Sequence, residues 1–527
     1  MRTRIAANRA ALGVGLLAAL PVFLSAIRLL AADWTPIGDN AIIALRSYDV
    51  LSTHPPLLGQ YSAASEVLGE GSYSLGPMLY WLLAVPSHIG ASAPLVVTMC
   101  AVNAAAVVAS VVLARRRGGT ALMILTAVAL VLMCASLPSK TWVDVWNPAA
   151  GLLPFTLLIF VAWSVACGEY RLLPLAVVVA SFVAQAHLTY VVPAIGLLVV
   201  ASIGLALRRR ELDAGALRRW LLVALALAAL CWSGPLVEQA VHRPGNLVTL
   251  ARNASSDHPS TGFRNIGRDA YVRTAGVPPW WLGVADGPVD RFGDLARPPG
   301  ALRIVSSLLV LAALVVVLVV GRRRGRRDLA AAAACALVLL AGVVFVASTT
   351  PIAGLLGITL RYTLWWASAA GMFAYVVIAW SALELLPRPG VWALRAAAAV
   401  AAVWAAVVLV RAGGGEDRLE GRYEPMRRLA AALERSLPAD RTVLVGAVRP
   451  SSGYDAQYDY EAGAVYALRH QGVRVVRRFP EAVGSWYDAA GKRIDATVLV
   501  GAAGEAPPRG ARLVARVDSR VVAWLVP

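Results

Sequence analysis

The strongest constraint on this chain is a series of long apolar segments separated by short clusters of arginine. A helix needs about 20 apolar residues to cross a bilayer. Eleven segments approach that length, near residues 9–31, 94–114, 119–137, 150–167, 171–187, 189–207, 219–235, 301–320, 328–347, 361–386 and 390–410. Charged residues make up only 15% of the chain, against about 25% in soluble domains. The sequence therefore predicts an all-α polytopic membrane domain over residues 1–410.

The arginine clusters predict how this domain is oriented. With a cytoplasmic N-terminus, eleven crossings return the clusters at 115–117, 208–210, 218–219 and 322–327 to the cytoplasmic side, as the positive-inside rule requires. A further crossing at 77–89 would place residues 115–117 outside, and that short segment is better interpreted as a re-entrant or interfacial helix. The loops at 32–93, 138–149 and 236–300 and the C-terminus are then extracytoplasmic. Although the net charge of +18 is high, the arginines lie in short clusters between apolar segments, which indicates the lipid bilayer as partner and not nucleic acid.

After residue 410 the pattern becomes that of a soluble protein. Residues 411–527 predict a small extracytoplasmic α/β domain, with helices at 423–436 and 459–470 and strands at TVLVGAV, VRVVRRF, ATVLVGA, ARLVARV and RVVAWLV. The last two strands flank Asp518 and Ser519 as a hairpin. The domain contains no recognisable catalytic motif, so we expect it to pack against the membrane domain or to bind an acceptor. All five cysteines lie in apolar segments, which predicts no disulfides.

The first external loop contains the best candidate for a catalytic group. Asp39 begins the segment DNAIIALRSYDVL, whose apolar residues recur at helical spacing. A carboxylate at a helix N-terminus is favoured in its ionised form and can accept a proton from a sugar hydroxyl. The alternative is that Asp39 only caps the helix. Asp33 and Asp49 are weaker candidates, and His54 before two prolines indicates a turn.

Several segments together resemble a known superfamily. GDNAIIALR, PLLGQYS and LGPMLYWLLAVP are followed by WNPAAGLLPF, AQAHLTYVVP and PLVEQAVHRPGNL. This order resembles the GT-C superfamily of polyprenyl-phosphate-sugar glycosyltransferases, in particular multispanning actinobacterial proteins related to the protein-mannosyl and aminoarabinose transferases. The resemblance covers about residues 10–400. The chain departs from the family pattern where Asn40 follows Asp39 and where Ser74 and Leu75 replace a His-Pro pair.

The resemblance implies an inverting transfer of a sugar from a polyprenyl-phosphate donor to a glycan, lipid or protein acceptor of the cell envelope. No cofactor is expected, and the option of a divalent metal stays open. The phosphate needs cations, and Lys140 and Arg361 lie at predicted external span ends, where ordinary snorkelling is the alternative. Arg264, Arg268 and Arg273 are further choices. The other predicted substrate-binding residues are Gln185, His187, Trp146, Asn147, Asp49 and Tyr73.

Each of these polar residues also has a structural interpretation. Gln185 and His187 are of the types that bond membrane helices to one another, and the tryptophans at 142, 146, 280, 281, 365 and 366 are typical of the interfacial belt. A transporter or flippase of a lipid-linked saccharide is the rival function. Transporters place ionisable groups near the bilayer midplane in repeated halves. Here the spans are nearly free of charge and no repeat is visible, which favours an enzyme of the cytoplasmic membrane over a transporter. An inactive scaffold is a third option.

Overall fold

The computed structural model of this chain describes residues 2–62, 71–90, 92–255, 257–282, 298–352, 362–385, 420–448 and 456–527, together with a few isolated positions. Helices make up the part up to residue 385, and a five-stranded sheet with two helices makes up the last part. This agrees with the predicted combination of a helical membrane domain and a small α/β domain. The boundary predicted at residue 410 lies outside the described residues.

The first predicted span is a broken helix. α1 (Arg2–Ala18) and α2 (Leu20–Ala31) follow one another, and their axes differ by 47° from residue 9 onward. Pro21 stands in the first turn of α2. Because proline has no N–H and its ring crowds the carbonyl four residues earlier, a continuous helix cannot pass through this position unbent. The predicted segment 9–31 is therefore covered, but by two helices.

Two predicted spans lie in one long helical segment. After α3 (Gly38–Asp49) and α4 (Met78–Ile89), the helix α5 (Ala93–Ala135) has 43 residues. At about 1.5 Å per residue it would extend roughly twice the 30 Å of a bilayer core. Gly118 and Gly119 interrupt it, with φ of −132° and 66°. The interruption separates the predicted segments 94–114 and 119–137.

Among the described residues, the helical part continues through eleven more α-helices. They are α6 (Asn147–Ala150), α7 (Leu152–Ala166), α8 (Leu173–Ala186), α9 (Val191–Leu207), α10 (Ala214–Cys231), α11 (Ser233–Val241), α12 (Asn246–Ser255), α13 (Arg268–Ala275), α14 (Ala301–Arg323), α15 (Arg327–Thr349) and α16 (Trp366–Leu385). α7 lies at the centre and is buried along its whole length. α10 and α14 are peripheral and expose large apolar side chains such as Leu225 and Leu309, as a lipid-facing surface would.

Among the described residues, seven helices are long and apolar enough to cross a membrane, or eight if the bent pair α1 and α2 counts as one span. These helices support a multi-pass membrane protein. The predicted number of eleven is not confirmed, because the segment at 171–187 forms only a shorter apolar helix and most of 390–410 lies outside the described residues. α4, at 12 residues, is too short for a simple crossing, in line with the re-entrant or interfacial helix predicted at 77–89.

Ion pairs connect the arginine clusters at one end of the helices. Arg116 lies 2.7 Å from Glu169, and Arg117 pairs with the same carboxylate. Arg208 pairs with Glu211 at 3.2 Å, and Glu211 also pairs with an arginine at the start of α15. Since these charged ends contact one another, they lie on the same side of the helix bundle. This arrangement agrees with the prediction from the sequence that the arginine clusters lie on the same side of the membrane.

The C-terminal part has the predicted helices and strands. α17 (Glu420–Ser436) and α18 (Ala456–His470) pack on a sheet of β1 (Thr442–Ala447), β2 (Arg474–Val476), β3 (Ala496–Ala502), β4 (Arg512–Arg516) and β5 (Val521–Val526). The strand order is β2-β1-β3-β5-β4. β1 pairs in parallel with β2 and β3, while β5 is antiparallel to β3 and β4, so the predicted hairpin is confirmed. α18 also packs against α3, which lies in the loop predicted to be external.

Candidate active site

The helix α3 begins with an unusual backbone conformation that brings it close to the C-terminal part. Gly38 has a φ of +52°, a region that L-residues with a side chain rarely adopt. A Cβ at this position would overlap the carboxylate of Asp459 and contact the ring of Tyr458. Glycine therefore permits both the turn into α3 and the close approach of α18. Asp39 follows directly, in the first turn of α3.

Asp39 does not act as the cap of α3. The capping position is Ile37, which makes no side-chain capping bond. The Asp39 carboxylate instead accepts two hydrogen bonds from distant parts of the chain. The Tyr458 hydroxyl donates to Oδ1 at 2.8 Å, and the Trp146 indole Nε1 donates to Oδ2 at 3.0 Å. Both carboxylate oxygens are thus oriented by donors, and the interpretation as a simple cap is not supported.

The surroundings of Asp39 make its carboxylate more basic than that of an ordinary aspartate. Burial raises the pKa of the Asp39 carboxyl above its ordinary value, and the hydrogen bonds donated to it from Tyr458, Trp146 and Gln60 partly oppose that rise. The neighbouring Asp459 behaves in the same way. Burial raises the pKa of Asp459 to about 6, against the opposing effect of Arg422. A carboxylate with a raised pKa is a stronger base than an ordinary aspartate.

Trp146 is held in place by its own neighbours. Its backbone N–H donates to Asp144 Oδ1 at 3.1 Å, and its ring contacts Tyr362, with 4.5 Å between centroids. The Asn40 amide donates to the same oxygen of Asp144 at 2.8 Å. Asn40, where this sequence departs from the family's acidic pair, thus provides a hydrogen-bond donor that a second carboxylate could not. α3 and the segment before α6 are joined through this contact.

A cavity of about 700 Å³ opens beside Asp39. Its walls come from α3, the start of α6, the turn between α8 and α9, the end of α15 and the C-terminal part. The described lining combines polar groups next to Asp39 with apolar side chains from the membrane helices, and includes Gln60, Tyr61, Trp146, Asn147, His187, Thr189, Val192, Phe345, Tyr362, Tyr458, Arg477, Phe479 and Glu481. Such a site can accommodate a substrate with a polar head and an apolar tail.

Four predicted site residues lie together in this lining, namely Asp39, Trp146, Asn147 and His187. The Asn147 amide donates to the Ala186 carbonyl at 3.0 Å, which ties the start of α6 to the end of α8. Nδ1 of His187 lies 2.9 Å from the Thr189 hydroxyl. Each of these side chains therefore has an oriented polar group at the cavity wall.

Gln185 and Tyr73 lie outside the described cavity lining. Gln185 is buried, its Nε2 donates to the Cys231 carbonyl at 2.8 Å, and its Oε1 accepts from the Met78 N–H at 3.3 Å. The Tyr73 hydroxyl donates to the Glu481 carbonyl at 3.1 Å. These contacts join helices and loops, so the geometry favours a structural role for both over the predicted contact with substrate.

Asp49 also lies outside the cavity, at the contact between α3 and the C-terminal part. Its side chain is fully buried and lies 3.1 Å from Arg46 and 3.2 Å from His54 Nε2. The Tyr487 hydroxyl donates to both of its oxygens, at 3.0 and 2.9 Å. A carboxylate with these partners attaches the two parts of the molecule, which disfavours the predicted contact with substrate.

The predicted phosphate ligands are not in the described lining. Lys140 lies in the short helical turn Ser139–Trp142, where its charge lowers the pKa of Asp459. Arg361 lies outside the described residues. The alternatives Arg264, Arg268 and Arg273 are not among the lining side chains. The cation that the described lining does include is Arg477, which pairs with Glu461.

Sequence reasoning missed the contribution of the C-terminal part to this site. Tyr458, Arg477 and Glu481 all line the cavity, although that part of the sequence has no recognisable motif. One available signal was the polar, aromatic segment YDAQYDYE at 454–461, which places three tyrosines and two aspartates around the start of a helix. Among the described residues, no three His, Cys, Asp or Glu side chains come together as a metal site.

Comparisons with known proteins support the fold. No family model and no curated protein matches the sequence. The crystal structure of ArnT from Cupriavidus metallidurans bound to undecaprenyl phosphate matches with a TM-score of 0.53 and 15% identity, over 98% of this chain and 97% of that chain. This chain has the fold of ArnT. The apo structure of ArnT matches with a TM-score of 0.51 and 14% identity, over 96% and 97% of the two chains.

The fold that the sequence resemblance implies is confirmed by this match. The match to ArnT extends over nearly the whole of both chains, and therefore includes the C-terminal part as well as the membrane helices. The archaeal oligosaccharyltransferase AglB from Archaeoglobus fulgidus matches at a TM-score of 0.41 and 13% identity, over 87% of this chain and 63% of that chain. That similarity is too low to support an argument.

Proposed function

We propose that this protein is an integral-membrane glycosyltransferase that transfers a sugar from a polyprenyl-phosphate donor to an acceptor of the cell envelope on the extracytoplasmic side. The observation that carries the proposal is the carboxylate of Asp39, which is oriented by two donors at the wall of a cavity of about 700 Å³. The fold of ArnT, which has been crystallised with undecaprenyl phosphate, supports a lipid-linked donor.

Asp39 is the general base in the proposed reaction. The oxygen of an acceptor hydroxyl attacks the anomeric carbon while its proton passes to the Asp39 carboxylate. The bond between the anomeric carbon and the phosphate oxygen breaks, and polyprenyl phosphate leaves with the bonding electrons. Attack from the face opposite the leaving group inverts the anomeric configuration. The raised pKa of Asp39 makes its carboxylate a stronger proton acceptor than an ordinary aspartate.

The cavity lining supports a division between the two substrates. Val192 and Phe345 come from membrane helices, where an isoprenoid chain would meet apolar surface. Arg477 and Glu481 come from the C-terminal part, on the side from which a polar acceptor would approach. We retain Lys140 and Arg361 as proposed ligands of the donor phosphate, since a charge-assisted hydrogen bond to phosphate is stronger than a neutral one.

The substitution Asp39→Asn tests the function. Asparagine has nearly the same shape but cannot accept the proton, so we expect transfer to slow by about 10²- to 10⁴-fold at normal protein abundance. Purified protein in lipid nanodiscs would be incubated with radiolabelled polyprenyl-phosphate sugars and envelope acceptors. Asp39→Glu should restore little, because a displacement of about 1 Å can cost on the order of 10²-fold.

Asp33→Asn is the matched control, because the Asp33 side chain is 74% exposed and lies 3.6 Å from Arg427, outside the cavity. This variant should keep the wild-type rate. Transfer at the wild-type rate by Asp39→Asn would remove Asp39 from the mechanism. Transport of a lipid-linked sugar that survives this substitution, with no transfer from any donor in the wild type, would favour the flippase instead.

A further inference from the structure

We propose that Tyr458 of the C-terminal domain is a positioning residue for Asp39, and that docking of this domain completes the active site. The proposal rests on the proposed function of Asp39 as general base. Tyr458 acts through Asp39 and takes no part in bond making itself. It follows that the membrane domain alone lacks one of the donors that orient its base, which also include Trp146 and Gln60.

Tyr458 and Trp146 approach Asp39 from different parts of the molecule. The Tyr458 hydroxyl on α18 bonds to Oδ1 at 2.8 Å, and the Trp146 indole, just before α6, bonds to Oδ2 at 3.0 Å. One donor on each oxygen fixes the rotation of the carboxylate plane. Each carboxylate oxygen has a second lone pair, and Asp39 lines the cavity, so a lone pair stays available for the proton of an acceptor.

The position of Tyr458 is set by extensive packing between α18 and α3. Gly38 allows this approach because the space that its Cβ would occupy is filled by Asp459 and Tyr458. The Asp49 side chain, at the other end of α3, is joined to Tyr487 of the same domain. The domain is thus attached at both ends of the helix that bears the base, and the bond from Tyr458 is part of a defined interface.

A phenol that donates to a carboxylate stabilises its ionised form. Loss of the Tyr458 hydroxyl should therefore raise the pKa of Asp39 further. Removal of the Tyr458 hydroxyl leaves the other charged or titratable groups near Asp39 in place. These groups are Asp459 with its partner Arg422, Lys140, whose charge acts on Asp459, and Tyr80 of α4. A shift in the titration of Asp39 would then report the lost hydrogen bond.

The substitution Tyr458→Phe tests the proposal, with Tyr460→Phe as its matched control. Tyr460 lies on the same helix and its hydroxyl also donates to an aspartate, Asp518, at 2.8 Å, but within the C-terminal domain. In the full-length protein, kcat/KM of Tyr458→Phe should fall by about 10- to 100-fold, and the acid limb of its pH profile should move to higher pH by about one unit. Tyr460→Phe should leave the acid limb unmoved.

A second measurement separates this proposal from the proposed function. Infrared titration of the carboxyl band that Asp39→Asn removes gives the pKa of Asp39 without any substrate. We expect this pKa to rise in Tyr458→Phe and to fall when 3-fluorotyrosine, a more acidic donor, replaces Tyr458. If the band titrates identically in the wild type, in Tyr458→Phe and in the protein with 3-fluorotyrosine at position 458, Tyr458 does not position Asp39. Absence of sugar transfer by the wild type, with the band shifting as expected, would instead reject the proposed function alone.

Discussion

Single polar side chains in this molecule differ in role according to whether they line the cavity or lie between helices. Trp146 and His187 line the cavity. Gln185 precedes His187 by only two residues in the sequence, but it bonds to backbone groups of other helices. The sequence identified all three because each interrupts or borders an apolar segment. It could not separate them, because helical spacing does not reveal whether a polar group meets a cavity or a neighbouring backbone.

Tyr458 illustrates a residue that the sequence could not identify. It contacts Asp39 across 419 residues of chain, and nothing near either residue in the sequence indicates the other. Asp39 itself was predictable, because an aspartate that begins an amphipathic helix in a loop between membrane spans is a recognisable combination. The proposed base was thus predicted from local sequence, whereas its hydrogen bond from Tyr458 required the tertiary structure.

The proposed binding of the donor phosphate by Lys140 and Arg361 is tested by replacing each residue. We expect Lys140→Ala and Arg361→Ala each to weaken donor affinity by about 10- to 100-fold, because each would remove a charge-assisted contact to phosphate. Binding of a polyprenyl-phosphate sugar to protein in nanodiscs would be measured directly. Lys492→Ala is the control, since Lys492 is the chain's other lysine and lies exposed in the C-terminal domain. Unchanged affinity in both variants would show that these residues only snorkel to the interface.

At the scale of elements, the predicted spans and strands that fall within the described residues correspond to helices and strands because apolar periodicity reports burial directly. The differences occur where backbone chemistry intervenes. Pro21 breaks the first predicted span into α1 and α2, and the pair Gly118 and Gly119 divides one long helix. Both features were visible as residues in the sequence, but a proline or glycine can be accommodated or can end a helix, and packing decides which.

The contact between α3 and α18 gives a prediction at the element scale. Gly38→Ala should destabilise the docking of the C-terminal domain, because it combines a strained positive φ with overlap against Asp459. We expect a loss of about 1–3 kcal/mol, visible as faster limited proteolysis between the domains and slower sugar transfer. Gly472→Ala is the control, since Gly472 has a φ of +86° with open space around its Cβ position. Equal effects in both variants would show that overlap contributes nothing.

At the scale of the whole molecule, the charged ends and the cavity lie at opposite ends of the helix bundle. Arg116, Glu169 and Glu211 meet at one end, while Asp39, His187 and Tyr362 border the cavity at the other. We expect the charged end to face the cytoplasm, following the positive-inside rule. The donor would then be used on the outer face, where nucleotide sugars are absent.

Cysteine labelling tests this orientation. In a background without the five native cysteines, which are all unpaired, Arg323→Cys and Ser519→Cys place single thiols at the end of α14 and in the hairpin between β4 and β5. A membrane-impermeant maleimide should label the thiol at 519 in intact cells and the thiol at 323 only after lysis. Labelling of position 323 from outside would refute the topology, including the assignment of residues 77–89 as a segment that does not cross.

The bond between Tyr458 and Asp39 also sets an order of events during biosynthesis. Ribosomes make position 458 only 419 residues after position 39. The helices of the membrane part and the C-terminal part must both have folded before the two side chains meet. Under the proposed mechanism, a chain that stops before residue 458 lacks this donor to Asp39, so its sugar transfer is slower than that of a chain that includes Tyr458.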